Sequence, residues 1–255
     1  MKRRQFVQFA GASLLTAVGT SVISGFDSAQ AQTGSLSVQY LGHTCFLFTG
    51  SGQKILVNPF RSLGCTAGYR APKVNADLVL ISSQLLDEGA IELVPGNPRL
   101  LYEAGAYDVS GIKIQGISAD HDRVGGKRFG SNVAWRWTQG GVTVLHLGGA
   151  AAPVSLEQKI LMGSPDVLFV PVGGGPKAYT PEEAKQAINV LNPKLVIPTQ
   201  YRTQAAKDQC DLVGLDAFLK LMSGVAVRKG GDSISIQKAD LPKNEMAIQV
   251  LSYKF

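Results

Sequence analysis

After residue 31 the sequence contains no apolar run approaching the roughly 20 residues that a membrane-spanning helix needs, so no span is expected in the body of the chain. Basic residues outnumber acidic ones, 25 against 19, but after Arg4 they form no cluster. An unclustered excess of this kind is a solvated surface and argues against a nucleic-acid partner. Cysteine is sparse. The three present, Cys45, Cys65 and Cys210, are spaced unlike any zinc-binding pattern. The chain has neither a G-x-G-x-x-G nor a P-loop, so Gly173, Gly174 and Gly175 lack the sequence context of a phosphate cradle. There is no Gly/Ser/Pro-rich linker and no segment that recurs at a fixed short period, which excludes a solenoid and favours one domain.

What is present fits a globular, exported protein. The 255 residues are 45% apolar and 17% charged, an ordinary globular balance and enough chain for a large core. Lys2-Arg3-Arg4-Gln5-Phe6-Val7 resembles a twin-arginine export motif. A moderately apolar stretch broken by glycines follows, then Ala29-Gln30-Ala31 as an A-x-A cleavage site. Residues 1–31 are therefore expected to be a signal peptide and 32–255 the mature domain, delivered to a periplasm or a thylakoid lumen. Cys45 lies within an apolar strand pattern and reads as a small core residue. Cys65 and Cys210 would pair in an oxidising compartment only if the fold brings them together, which the sequence does not show.

Alternating apolar patterns and turn residues predict strands over 35–48 with a turn at Gly42-His43, then over 54–57, 77–82, 98–102, 107–109 and 112–117. A charged Gly-rich loop is expected over 118–130. A hairpin follows, 132–138 and 142–147 across Gln139-Gly140-Gly141. Helices are predicted near 86–93, over 155–161 with Ser155 as N-cap, over 180–191 and over 212–223. The helix over 180–191 has Thr180, Pro181 and Glu183 in capping-box order. Apolar runs at 166–172 and 195–198 read as buried strands, and three more strands close the chain at 225–228, 233–237 and 247–251. The fold class is α/β: two sheets flanked by helices in one domain.

The chain is organised around residues 76–89. Here a strand buried on both faces runs into Ser82-Ser83-Gln84-Leu85-Leu86-Asp87-Glu88. That turn resembles the S-H-x-H-x-D-H signature of the metallo-β-lactamase superfamily, with only Ser82 and Asp87 matching. Other segments extend the likeness. Leu41-Gly42-His43-Thr44-Cys45-Phe46 resembles the L-G-H-[AS]-C-F opening of the UlaG-like branch of these hydrolases. Ile55 through Phe60, ILVNPF, resembles its I-[LV]-x-D-P-F with Asn58 in place of Asp. Gly105-Ala106-Tyr107, His121-Asp122, Gly130 and Asn132, and the run DVLFVPVGG from Asp166 to Gly174 also fit. His146-Leu147-Gly148-Gly149 is similar to H-L-G-D, and Pro198-Thr199-Gln200-Tyr201 to P-M-H-Y. The resemblance implies an αββα sandwich of two mixed sheets flanked by helices.

It also implies a two-metal hydrolase site, and here the chain departs. Of seven ligand positions, only His121 and Asp87 survive, while Ser83, Leu85, Glu88, Gly149 and Gln200 occupy the rest. Transition-metal sites take about three or four protein ligands, and without the metal no low-pKa water is generated. The VPVGG, GAY and capping segments are intact beside the lost ligands. The chain is therefore expected to be a degenerate member with no cofactor and no hydrolysis of the ancestral kind. It would act as a binding or assembly protein for a small molecule or a protein partner. The cleft is expected to be lined by His43, Asn58, Ser83, Asp87, Glu88, His121, His146, Gln200 and Tyr201.

Other readings of the same residues stay open. Asp87, Glu88 and His121, with Asp120 and Asp122, would suit one divalent cation of the Ca, Mg or Mn kind and a remodelled lactonase-like or phosphoesterase-like hydrolase. Against this, Asp120 and Asp122 read as ordinary loop residues. Ser83 with His121 or His146 as base would make a metal-free nucleophile, but no third orienting group is identifiable. His43 and His146 fit structural histidines bonded to loop backbone. Trp135 and Trp137 share a strand face and fit sheet packing better than an aromatic binding surface.

Overall fold

The computed structural model describes residues 34–255 apart from Asp208. The expected export segment, with its twin arginines and A-x-A site, lies outside the described residues. Fourteen strands and three α-helices follow in order: β1 (Ser35–Gly42), β2 (Cys45–Gly50), β3 (Gln53–Val57), β4 (Leu78–Leu80), β5 (Arg99–Leu101), β6 (Gly105–Val109), β7 (Ile112–Asp120), β8 (Ser131–Gln139), β9 (Val142–His146), α1 (Leu156–Met162), β10 (Val167–Pro171), α2 (Pro181–Leu191), β11 (Leu195–Thr199), α3 (Leu215–Leu221), β12 (Ala226–Lys229), β13 (Ser233–Gln237) and β14 (Ala247–Val250). They form a six-stranded sheet, β13-β1-β2-β3-β4-β5, and an eight-stranded sheet, β12-β14-β11-β10-β9-β8-β7-β6. Both are mixed. β3, β4 and β5 run parallel, as do β9, β10, β11, β14 and β12, and the remaining pairs are antiparallel. This is the expected α/β sandwich of two sheets. Among the described residues, no helix is long and apolar enough to cross a membrane.

The two sheets meet over a core that includes Phe46, Phe48, Ile55, Trp135, Trp137 and Phe169. Phe48 packs edge-on to Trp137 with ring centroids 4.9 Å apart and to Phe169 at 5.1 Å. Such pairs add about 0.5–1.5 kcal/mol each beyond their area burial. Trp135 and Trp137 thus pack the core, as their spacing on one strand face indicates. The outer face of the larger sheet buries Leu145, Leu168, Val170 and Val196 against Ile188 and Leu191 of α2 and Phe218 of α3. α2 begins as its sequence demands. Thr180 Oγ1 accepts the Glu183 N–H at 3.2 Å, and Glu183 Oε2 accepts the Thr180 N–H at 2.8 Å. The outer face of the smaller sheet is covered differently, by Phe60, Tyr69, Val94 and Ala205 from loops and short turns.

Three local expectations change. The helix expected near residues 86–93 is a turn, in which the Glu88 and Gly89 N–H groups both bond Leu85 O at 3.0 and 2.8 Å, followed by a single 3-10 turn, Ile91–Leu93. Gly89 packs against Ser83 O with no room for a side chain, and Glu88 is drawn inward, so the chain cannot wind on. The last helix is shorter than expected. Leu212 lies outside it and packs with Ala178 and Cys210. Cys65 and Cys210, 145 residues apart, meet at a Cα separation of 4.7 Å and form a disulfide. Cys45 is a buried free thiol, as expected of a core residue.

Candidate functional site

The parallel strands β3, β4, β9, β10 and β11 end at one edge of the sandwich, and the loops leaving them build a common site. Carboxyl ends of parallel strands are the usual place for a ligand in α/β sheets. Three residues there have left-handed backbone: His43 at φ 55°, Asn58 at φ 52° and Gln200 at φ 47°. Non-glycine residues are uncommon in this region and persist where surrounding contacts enforce it. Asn58 is fully buried, and its Oδ1 accepts the Ser82 N–H at 2.8 Å, fixing the start of the turn after β4.

That turn carries Ser83, Asp87 and Glu88 to different depths. Glu88 points inward and is fully buried. Its Oε2 accepts the Ser83 hydroxyl at 2.8 Å and lies 3.0 Å from Nε2 of the equally buried His121. Burial alone would raise the Glu88 carboxyl, but the charge and hydrogen bond of His121, the Ser83 hydroxyl and the Lys177 ammonium hold it below the usual carboxylate range. Burial likewise opposes the charged His121 ring, and Glu88 more than offsets this, so its pKa is raised. Both shifts favour the charged forms of the two partners. Glu88 Oε1 and His121 Nδ1 have no partner among the described residues.

Gly149 explains why this pair fits. A Cβ at that position would collide with Glu88 Oε1 and stand 2.7 Å from His121 Cε1. The Glu88 carboxylate therefore occupies the volume a side chain at 149 would need.

Asp87 takes the opposite course, outward to the Lys177 ammonium, with which it forms a close ion pair. His43 Nε2 is 3.9 Å from the same carboxylate. The Lys177 Nζ also lies 5.7 Å from the Phe129 ring centroid, within cation–π range. Burial lowers the His43 pKa. Asp87 and Glu88 counter this, while Lys177 adds to it. His146 is buried and pushed down to about 4 by its burial. Its Nδ1 accepts the Gly148 N–H at 3.1 Å, so Nε2 carries the proton and donates to Thr44 O at 3.1 Å. That is a neutral structural histidine.

A cavity of about 420 Å³ opens above the Asp87–Lys177 pair. Of the nine residues expected to line the cleft, His43, Asp87 and Gln200 do so. Ser83, Glu88 and His121 form the buried layer described above. Asn58 and His146 are bonded within the scaffold and do not reach the cavity. Tyr201 turns aside, packs with the core under the larger sheet, and donates to Leu251 O at 3.5 Å. Asp122 serves its own loop: its carboxylate accepts backbone N–H groups of Val124, Gly126, Arg128 and Phe129 at 2.8–3.0 Å. Asp120 is exposed on the end of β7.

Several residues that the sequence did not single out complete the site. Lys177 meets Asp87 and lies within cation–π range of Phe129. Arg123 bonds Glu183 at 2.7 Å, Gly175 O at 2.8 Å and Ala178 O at 2.9 Å, tying the loop that carries Phe129 to the loop that carries Lys177. Cys65 and Cys210, whose pairing the sequence left open, form a disulfide where Cys65 and Leu212 wall the cavity. None of these contacts had a motif to announce it.

The donor set does not fit a metal centre of the two-metal kind. Asp87 is engaged by an ammonium, His121 Nε2 is turned onto Glu88, and position 149 offers no carboxylate. Among the described residues, no three His, Cys, Asp or Glu side chains converge on a common point. The unpartnered Glu88 Oε1 and His121 Nδ1 are two donors, short of the three or four that a transition metal takes.

Comparison with known proteins places the fold. Residues 37–200 match the family model of the β-lactamase superfamily domain. A metal-dependent hydrolase of Thermococcus onnurineus is 28% identical over 193 residues, covering 66% of this chain and 85% of that protein. Another metal-dependent hydrolase, from Methanoculleus marisnigri, is 28% identical over 227 residues, covering 79% and 97%. The crystal structure of a Thermotoga maritima protein, described as a Zn-dependent hydrolase of the metallo-β-lactamase superfamily, superposes with a TM-score of 0.69 at 32% identity, covering 85% of this chain and 98% of that one. With two mixed sheets, the site at their strand ends and this breadth of match, the chain belongs to the metallo-β-lactamase superfamily.

Proposed function

We propose that this chain is a non-catalytic member of the superfamily, of its UlaG-like branch, which uses the old active-site cleft to bind a small molecule or a protein partner. The reading is supported by two contacts in the cleft. The Lys177 ammonium sits on the one acidic ligand that survives in the signature turn, and the Glu88 carboxylate fills the space left by Gly149. The relatives are named metal-dependent hydrolases, but their chemistry requires a metal-bound water, and here Asp87 is paired with Lys177 and Glu88 with His121. The retained cavity and its strained lining support a binding role.

We also propose that the protein is exported. Two independent features support this: the Lys2-Arg3-Arg4 motif followed by Ala29-Gln30-Ala31, and the Cys65–Cys210 disulfide, a bond that persists in oxidising compartments. The activity half of the proposal is tested by incubating the mature protein with lactone and phosphodiester substrates, with and without a chelator. No chelator-sensitive turnover is expected. Turnover that a chelator removes and zinc or manganese restores would replace the binding reading with a remodelled hydrolase.

A further inference from the structure

We infer that residues 62–67 form a flap over the cavity and that the Cys65–Cys210 disulfide is its latch, so that reduction by a dithiol opens the site. The inference rests on the reading of this cavity as the binding cleft and adds how access to it is controlled.

The flap is bonded mainly to itself. The Thr66 hydroxyl donates to Arg61 O at 2.6 Å and accepts the Leu63 N–H at 3.0 Å, and Ser62 Oγ donates to Tyr69 O at 2.7 Å. Its two ends are fastened to the body of the protein. Arg61 N–H bonds Leu86 O at 2.7 Å, and Gly68 N–H bonds Ala205 O at 2.8 Å. The second end is a tight seat, because a Cβ at Gly68 would stand 2.7 Å from Ala205 Cα. Between these ends, among the described residues, one hydrogen bond and one covalent bond cross to the far wall: Lys207 N–H to Gly64 O at 3.3 Å, and the disulfide. The far wall is anchored on its own account. Arg202 Nη1 donates to Cys210 O at 2.8 Å, Val213 N–H bonds Gly173 O at 2.7 Å, and Leu212 packs with the fully buried Ala178.

Leu63, Cys65 and Thr66 from the flap and Leu212 from the far wall all line the cavity. The apolar contact across the seam is a small cluster, Cys65 and Ala206 with Ala178, Cys210 and Leu212, separate from the cores of the sandwich. Segments with few buried apolar contacts open at low cost. Once the disulfide is cut, that cluster and one long hydrogen bond are what hold the flap down. The bond is also approachable. Cys65 is half-buried on the cavity wall, whereas Cys210 is buried and does not line the cavity. A thiolate of the dithiol attacks Cys65 Sγ, the S–S bond breaks, and Cys210 leaves as a thiolate that takes up a proton. The second thiol then displaces Cys65 from the mixed disulfide, and Cys65 is protonated in turn. Two electrons pass to the protein, and the dithiol ends as a disulfide. Cys45, a buried free thiol, takes no part.

The test is hydroxyl-radical footprinting of the mature protein before and after treatment with dithiothreitol in the absence of denaturant. Freed thiols are blocked with iodoacetamide and the reagents removed before labelling. Labelling of Leu212, which is 7% exposed under the flap, is expected to rise at least about threefold on reduction. Trp135 and Trp137, buried between the sheets, should be labelled no more than before. The Cys65→Ser, Cys210→Ser double variant, which carries no blocking group, should show the raised Leu212 labelling with or without dithiothreitol. Three results overturn the latch: a disulfide that is reduced only in denaturant, full reduction with Leu212 labelling unchanged, or labelling of both tryptophans that rises together with that of Leu212. A double variant that does not fold overturns it too, because the reduced state would then be unfolded rather than open. None of these readouts depends on metal or on turnover. Their failure leaves the non-catalytic reading standing, whereas chelator-sensitive turnover would remove that reading and leave the flap in place.

Discussion

In the middle of the sandwich, Trp135 and Trp137 bury their rings and still place both indole N–H groups, on Ile81 O and Gln139 Oε1, each at 3.1 Å. At the strand ends, His43, Ser82, Glu88, His121 and Gln200 are equally buried, yet each keeps an unpartnered polar atom. Left-handed residues divide in the same way. Ser51 and Ser110 turn hairpins and Asn192 caps α2, where the chain must reverse, whereas His43, Asn58 and Gln200 line or brace the site. The middle is solved by packing, with its indole N–H groups paired. At the end, Asp87 pairs with Lys177 and Glu88 with His121, while hydrogen-bonding capacity is left over.

Substitutions at the two regions should separate them. Phe169→Ala in the middle removes a ring that touches Phe46, Phe48 and His146. It is expected to cost about 3–5 kcal/mol of stability by denaturant unfolding, with a smaller loss meaning that the sheets close over the gap. Cys65→Ser releases the cavity wall from a loop closed across 145 residues and is expected to cost about 2–4 kcal/mol. Reducing agent should produce the same shift in wild type and none in the variant. Gly149→Ala forces a methyl group into Glu88 and His121 and is expected to cost about 1–3 kcal/mol. In a Glu88→Ala background the same change should cost less than in wild type, because the nearest collision is gone and only that with His121 remains. Additive costs would show that Glu88 does not fill the space at 149.

The smallest effect is on pH dependence. Glu88 has a depressed pKa, so its contribution is present above the ordinary value near 4.5 and is lost as pH falls through the folded value. His121 has a raised pKa, so its contribution is present below the ordinary value near 6.5 and is lost as pH rises through the folded value. Their pair therefore contributes most between these ordinary values. The stability difference between wild type and His121→Gln should peak there and shrink on both sides. His146 acts in the other direction. Its pKa is lowered to about 4, so its neutral form contributes above pH 6.5 and loses that contribution on acidification. A wild-type-minus-variant difference that is flat with pH would mean that Glu88 and His121 are not a charged pair.

Most of the sandwich was legible because its information is local. The two-residue alternation of β1, the capping box of α2 and the hairpin of β8 and β9 each follow from neighbours in sequence. The failures are equally physical. A helix after β4 looked plausible from composition, but the Glu88 side chain is held 33 residues away by His121. The disulfide links residues 145 apart, and nothing near either cysteine reports the other. Of the site, the departures from the superfamily signature were legible by position. How the substituted residues are engaged was not. Lys177 is an unremarkable loop lysine until the ends of β4 and β10 bring it onto Asp87. Arg123 and Phe129 gain their roles only when two loops meet.

The central claim is that side chains, not metal ions, now neutralise this site. The most direct test is the metal content of the mature protein, purified from its export compartment with neither metal nor chelator added, beside its melting temperature before and after chelation. The account predicts far less than one zinc, manganese or iron per folded chain and a melting temperature that chelation does not move. Near-stoichiometric metal, with a melting temperature that falls on chelation and recovers on reloading, would contradict it.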